Sequence, residues 1–155
     1  MNVTVINAFV DSTINVLKMM AFVDSTASSP YLKKDNVAHG DVSGFIVFKG
    51  SLVGSLALSF TEACILKVVS KMLSEEINTI NSMIQDAVGE ITNMISGDAR
   101  KRLQNEGLKV SANIPSVLSG KNHLISHVLG GPSIIIPFTT AFGSFVVDIC
   151  IKDAA

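Results

Sequence analysis

The segment Asp86-Ala87-Val88-Gly89-Glu90-Ile91-Thr92-Asn93 puts two carboxylates and an amide where a reactive partner could meet them. It lies inside a long stretch of helical periodicity. At about 100° per residue, Asp86, Glu90 and Asn93 fall within roughly 60° of one another around the axis. The apolar stripe of the same stretch is Ile77, Ile80, Ile84, Ala87, Ile91 and Ile95, centred about 120° away. The polar trio is therefore a flank, neither core nor outermost line. Carboxylates at i and i+4 repel by about 0.2–0.5 kcal/mol in an isolated helix, a penalty compatible with a functional role. Taken alone, the stripe reads as either a solvated face or a surface that a partner touches.

The chain offers little other chemistry. It has neither a G-x-S-x-G elbow nor a G-x-x-x-x-G-K-[ST] loop. At Gly130-Gly131-Pro132, proline removes a donor that a phosphate cradle would use. Neither cysteine opens a Cys-x5-Arg pattern, since Ser70 stands six after Cys64 and Cys150 lies too near the end. His123 and His127 are four apart, but they sit in a short, extended-looking segment with no further ligands in view, so no metal site is assigned. His39, beside Gly40, is a loop residue. An enzyme built on this chain must leave most of the chemistry to its partner.

Composition bounds the rest. The 155 residues fit one domain, 1–155, that buries close to 70% of its unfolded-chain surface. With 48% hydrophobic and 16% charged residues, the chain needs a large core, an apolar interface, or both. A net charge of −1 gives no reason to expect nucleic acid or an anionic membrane as partner. No apolar run reaches the ~18 residues of a membrane span. The start lacks a basic leader region, so a cytoplasmic location is expected, with Cys64 and Cys150 as buried thiols rather than a disulfide.

These elements must position the stripe. Helical spacing covers residues 4–21, and the polar stretch from Asp24 to Asp41 reads as a loop. Val42 to Phe48 and Leu52 to Phe60 form a hairpin across Lys49-Gly50-Ser51. Ser59-Phe60-Thr61-Glu62 fits a capping box, with Ser59 as N-cap, opening a helix to Leu73. Ser74-Glu75-Glu76 restarts a second helix that runs from Glu75 to about Asn105, with Arg100, Lys101 and Arg102 in its last turns and Gly107 beyond. Strands follow at 109–117, 133–138 and 142–151, the last two bridged by Thr139-Thr140-Ala141.

FIVFKGSLVGSLALSF and IIIPFTTAFGSFVVDI repeat strand, turn, Gly-Ser (Gly54-Ser55, Gly143-Ser144) and strand. Each half can own one long helix. The fold class is therefore α+β: one antiparallel sheet of two pseudo-repeated hairpin units with long helices packed on it.

The spacing [Asp/Ser]-x3-Glu-x2-Asn on a long helix resembles the signature of the CheC/CheX/FliY chemotaxis phosphatases, and Asp86-x3-Glu90-x2-Asn93 matches it without departure. The order of elements agrees over nearly the whole chain, and the length resembles the CheX-like branch. CheC-type members carry the motif on both long helices. Here the first helix is read with Ser12, Val16 and Met19 at the equivalent spacing, which implies one active site per chain. The resemblance implies a homodimer and, as partner, a phosphorylated CheY-like response regulator. That regulator brings the acyl phosphate, Mg²⁺ on its own acids and a lysine, so no cofactor binds tightly to this chain. Asn93 would position the attacking water, because an amide can accept from water and donate to a phosphoryl group. Glu90 would contact the regulator's lysine. Asp86 belongs to the pattern without an assigned chemical step, and Gly89 and Gly97 would let the partner's surface approach. A non-catalytic module resembling the middle domain of the flagellar switch protein FliM is the alternative. A structural dimer without a regulator partner is a third.

Overall fold

In the computed structural model, which describes residues 2–154, the chain runs α1 (Val3–Ala21), β1 (Thr26–Ala27), β2 (Tyr31–Lys33), β3 (Val42–Gly50), β4 (Leu52–Phe60), α2 (Glu62–Leu73), α3 (Ser82–Asn105), β5 (Val110–Ala112), β6 (Ser116–Ser119), β7 (Ser133–Thr140) and β8 (Gly143–Asp153). Met1 and Ala155, the ends of the expected domain, lie outside the described residues. All strand pairs are antiparallel in an eight-stranded sheet ordered β1-β7-β8-β4-β3-β5, with β2 also on β7 and β6 also on β3. The two hairpins, β3–β4 and β7–β8, meet at the central β4–β8 pair, where Leu56 faces Ile149. This is the expected α+β arrangement. The Gly-Ser pairs are not equivalent within it. Gly54 lies inside β4 opposite Phe48, whereas Gly143 opens β8.

Period-two alternation decides the two faces of the sheet. Ile46, Leu56, Leu58, Val147 and Ile149 are fully or almost fully buried in the main core shared with the helices. Their neighbours Ser43, Ser55, Ser59 and Asp148 point the other way, and the segment around Ile125 and His127 covers them. Burying both faces makes these strands read as nearly continuous apolar runs. No described helix is long and apolar enough to cross a membrane.

Several boundaries differ from the sequence reading. The expected loop 24–41 contains β1 and β2, which line the edge of β7. They are two and three residues long on either side of Pro30, too short for periodicity to register. The expected strand 109–117 breaks into β5 and β6 around Pro115, which has no N–H for a ladder. In the second hairpin, Thr139 and Thr140 continue β7, and the turn is Ala141-Phe142.

The capping box does not form. Ser59 stays in β4 with its hydroxyl on Ser43 Oγ (2.6 Å), Thr61 is the N-cap, and Asp41 Oδ2 accepts from the Glu62 N–H (2.7 Å). A carboxylate from across the sheet thus replaces the local serine. The long helix also starts later than Glu75. Ser74 ends α2 in the left-handed region (φ 51°), and Asn81 caps α3 by accepting from the Ile84 N–H. Asn78, Thr79 and Asn81 favour turns and caps over helix interiors. Ile77 still reaches the core, with its N–H bonded to Ser70 Oγ.

Candidate functional site

The position of α3 on the sheet is set by a missing side chain. A Cβ on Gly44 of β3 would overlap Thr92 Oγ1 and lie 2.8 Å from Thr92 Cβ. The buried Thr92 hydroxyl donates back to Val88 O (2.7 Å), satisfying itself within the helix. Helix and strand therefore approach closely at Gly44, and the next residue along α3 is Asn93. The sequence reading overlooked this contact, although a glycine inside a strand is a signal of close backbone approach.

α3 turns Ile84, Ala87, Val88, Ile91, Thr92 and Ile95 inward and leaves Asp86, Glu90 and Asn93 exposed. The expected trio thus does share an accessible flank. Asp86 and Glu90 form no ion pair among the described residues. Gly89 and Gly97 are half-buried on the same side. A Cβ on Gly89 would meet only Val117 Cγ2 at 3.4 Å, and one on Gly97 only an Arg100 Nη at 3.9 Å. Neither position needs glycine for internal packing. The exposed side chains of Met83 and Met94 flank Glu90 on the other side.

α1 is built on the same plan as α3. The step from Val5 to Ile84, 79 residues, also relates the buried pairs Ala8 and Ala87, Phe9 and Val88, Thr13 and Thr92, and Val16 and Ile95. It relates the N-caps Asn2 and Asn81, each accepting from the N–H three residues on. It also relates the Thr13 and Thr92 hydroxyls, each donating to the carbonyl four residues back. This register corrects the sequence comparison. Ser12 and Val16 are buried, and only Met19 is exposed. The counterparts of Asp86, Glu90 and Asn93 are Asn7, Asp11 and Ile14. Neither Glu nor Asn stands at the two positions of α1 that correspond to Glu90 and Asn93, so the motif occurs once among the described residues.

The histidines belong to the opposite face of the sheet. His123 Nε2 lies 2.7 Å from Ser43 Oγ and Nδ1 2.8 Å from Gly120 O. His127 Nδ1 lies 2.7 Å from Ser55 Oγ and Nε2 2.8 Å from Asp148 Oδ1. Asp148 also takes a hydrogen bond from buried Lys33 (2.8 Å). Burial pushes the Asp148 carboxyl up, but hydrogen bonds from His127, Lys33 and Ser133 outweigh it and hold the group below the usual carboxylate range. Ser55, His127 and Asp148 resemble a hydrolytic triad only in outline, because the fully buried Ser55 can reach no substrate. Among the described residues no three metal-ligating side chains come together. Cys64 and Cys150 are free and buried, and desolvation raises both thiols, for Cys64 against a hydrogen bond with Thr140.

Comparison with known proteins agrees with this fold. The family model described as chemotaxis phosphatase CheX matches residues 42–139, from the start of β3 through α3 into β7. The CheY-P phosphatase CheX of Thermotoga maritima is 28% identical over 127 residues, covering 79% of each chain. A CheC-like superfamily protein from Shewanella sp. PV-4 is 44% identical, with a TM-score of 0.90 over 98% of this chain and 99% of that one. The CheX of a CheX–CheY–BeF3–Mg²⁺ complex from Borrelia burgdorferi is 27% identical, with a TM-score of 0.80 over 96% and 97% of the two chains.

Proposed function

This chain belongs to the chemotaxis phosphatase CheX family; from that premise we propose that it is a protein phosphatase acting in the cytoplasm on the phospho-aspartate of a CheY-like response regulator. The observation that carries the reading is the joint exposure of Glu90 and Asn93 on one flank of α3, next to glycines that internal packing does not require. The names of the Thermotoga and Borrelia relatives support the substrate class. A module that merely binds has no need of both side chains.

Hydrolysis of an acyl phosphate needs positioning and charge neutralisation more than covalent help. The partner supplies the charge-neutralising groups, Mg²⁺ on its acids and a lysine. Asn93 supplies what is missing: its amide oxygen accepts from the attacking water while its N–H donates to the phosphoryl group. Glu90, one turn earlier, pairs with the partner's lysine and fixes the register of docking. Gly89 and Gly97 keep the flank low enough for the partner's backbone to approach. Asp86 lies on the same flank as a docking contact.

Phosphate release from a phosphorylated CheY-like protein, with and without this chain, tests the proposal. Acceleration that needs Mg²⁺ is the expected result, and no acceleration would refute it. Calorimetry on the isolated chain is expected to show no stoichiometric Mg²⁺ site. We further propose a homodimer formed through a sheet edge, leaving the Glu90–Asn93 flank free. A monomer in sedimentation at tens of micromolar would contradict that assembly.

A further inference from the structure

Beyond Asn93 the same stripe changes sign. Arg100 follows Asn93 by two turns, about 10 Å along the axis, and faces almost the same way. Lys101 lies next to it, and the stripe carries no carboxylate after Asp86 and Glu90. Read from its N-terminal end, the exposed flank is acid, acid, amide, glycine, then base.

Basic residues near a helix C-terminus complement the macrodipole anyway. That role is already served by Arg102, which pairs with Asp98 at 2.9 Å. Arg100 is held differently. Its Nε donates to buried Ser96 Oγ (3.2 Å), and an Nη lies 3.9 Å from where a Gly97 Cβ would sit. The guanidinium is thus turned back along the helix toward Asn93, over the space that Gly97 leaves open. Neither Arg100 nor Lys101 forms an ion pair among the described residues. With Gly97, Gln104, Lys109 and Val110 they line a basic depression of about 270 Å³.

We propose that Arg100, seconded by Lys101, is a docking residue that receives a carboxylate-bearing patch of the phosphorylated response regulator beside its phospho-aspartate. The inference rests on the phosphatase reading above and adds a direction to it. With acids at one end and bases at the other, only one polarity of the partner along α3 brings unlike charges together, and the reversed polarity sets like charges face to face. Rooted two turns beyond Asn93, with its Nε held on Ser96 Oγ, Arg100 is assigned to the partner's surface beside the phospho-aspartate and not to the phosphoryl group. It is a positioning residue, and its loss acts on binding.

Steady-state phosphate release from a purified, phosphorylated CheY-like regulator, at low and at physiological salt, tests this. Arg100→Glu is expected to raise KM about tenfold at low salt and to flatten the salt dependence of kcat/KM, while kcat changes by less than about twofold. Arg100→Lys keeps the charge and is expected to retain most of the wild-type KM. The exposed Lys101→Glu is expected to raise KM about threefold, which keeps the test available if Arg100→Glu folds poorly. An unchanged KM in both charge reversals overturns the proposal. So does a collapse of kcat at constant KM, which would place Arg100 on the phosphoryl group itself. If wild-type chain releases no phosphate, the phosphatase reading falls and this one with it. Release by wild type with unaltered charge reversals refutes this one alone.

Discussion

α1 and α3 share a cap, a buried face and a back-bonded threonine, yet only α3 carries the Asp86-x3-Glu90-x2-Asn93 motif. Their inward positions correspond from Val5 and Ile84 through Leu17 and Ser96, where both helices pack into the same core. Their outward positions differ. Where α3 has Glu90, Asn93, Gly89 and Gly97, α1 has Asp11, Ile14, Val10 and Lys18. Packing constrained the two helices alike and left their outer stripes free to diverge. On α3 the stripe is polar and low; on α1 it is taller and partly apolar.

The largest expected effect is on the sheet itself, at the face turned away from both helices. Asp148→Asn leaves Lys33 buried without its counter-charge and is expected to cost about 3–5 kcal/mol in urea unfolding, with turnover per folded molecule unchanged. The pH dependence follows from the lowered Asp148 group. Its stabilisation is fully present above the unfolded value of about 3.9 and is lost as pH falls through the folded value. The variant is therefore expected to lose less stability than wild type as the pH falls below about 4. Equal acid sensitivity would show that the network does not depend on the carboxylate.

Glu90→Ala comes next and touches only α3. It is expected to weaken regulator binding and lower kcat/KM by an amount equivalent to about 2–5 kcal/mol, the usual loss when one member of a desolvated charge pair is truncated. Stability should not fall, because Glu90 is exposed and alanine is the better helix former. Normal binding by this variant would remove the lysine contact from the account.

Gly44→Ala tests how α3 is seated. The added carbon must displace Thr92, at about 1–3 kcal/mol for overpacking, and activity should drop because Asn93 moves with it. Adding Thr92→Ala should restore only part of the loss, since Thr92 Cβ would itself lie 2.8 Å from the new carbon. Full activity in Gly44→Ala would show that the close approach is not what seats the site.

The smallest effect on rate is expected from copying only the Glu and Asn of the motif onto α1. Asp11→Glu with Ile14→Asn should change phosphate release less than about twofold, because Val10 and Lys18 still stand where α3 has glycines. Doubled turnover per chain would show that the glycines do not matter.

Much of this was legible in the sequence because local pattern and tertiary demand agreed. The Asp86-Glu90-Asn93 flank follows from a 3.6-residue period, and the central hairpins from β-rich runs around turn residues. Elsewhere distant partners decided the outcome. Asp41 caps α2 in place of Ser59, a choice visible only once β3 and β4 have paired. Ile77 lies in the core yet outside the helix, so its apolar character lengthened the predicted element by seven residues. The register between α1 and α3 was misjudged because spacing was matched on the motif. The inward pattern aligns the two helices; the motif does not.

Asn93→Ala in single-turnover dephosphorylation, with regulator binding measured alongside, tests the central claim most directly. The expected result is binding close to wild type with the accelerated step slowed on the order of 10²–10³-fold, as when one preorganised polar group is lost. Dephosphorylation at the wild-type rate would contradict the water-positioning mechanism and leave α3 as a docking surface alone.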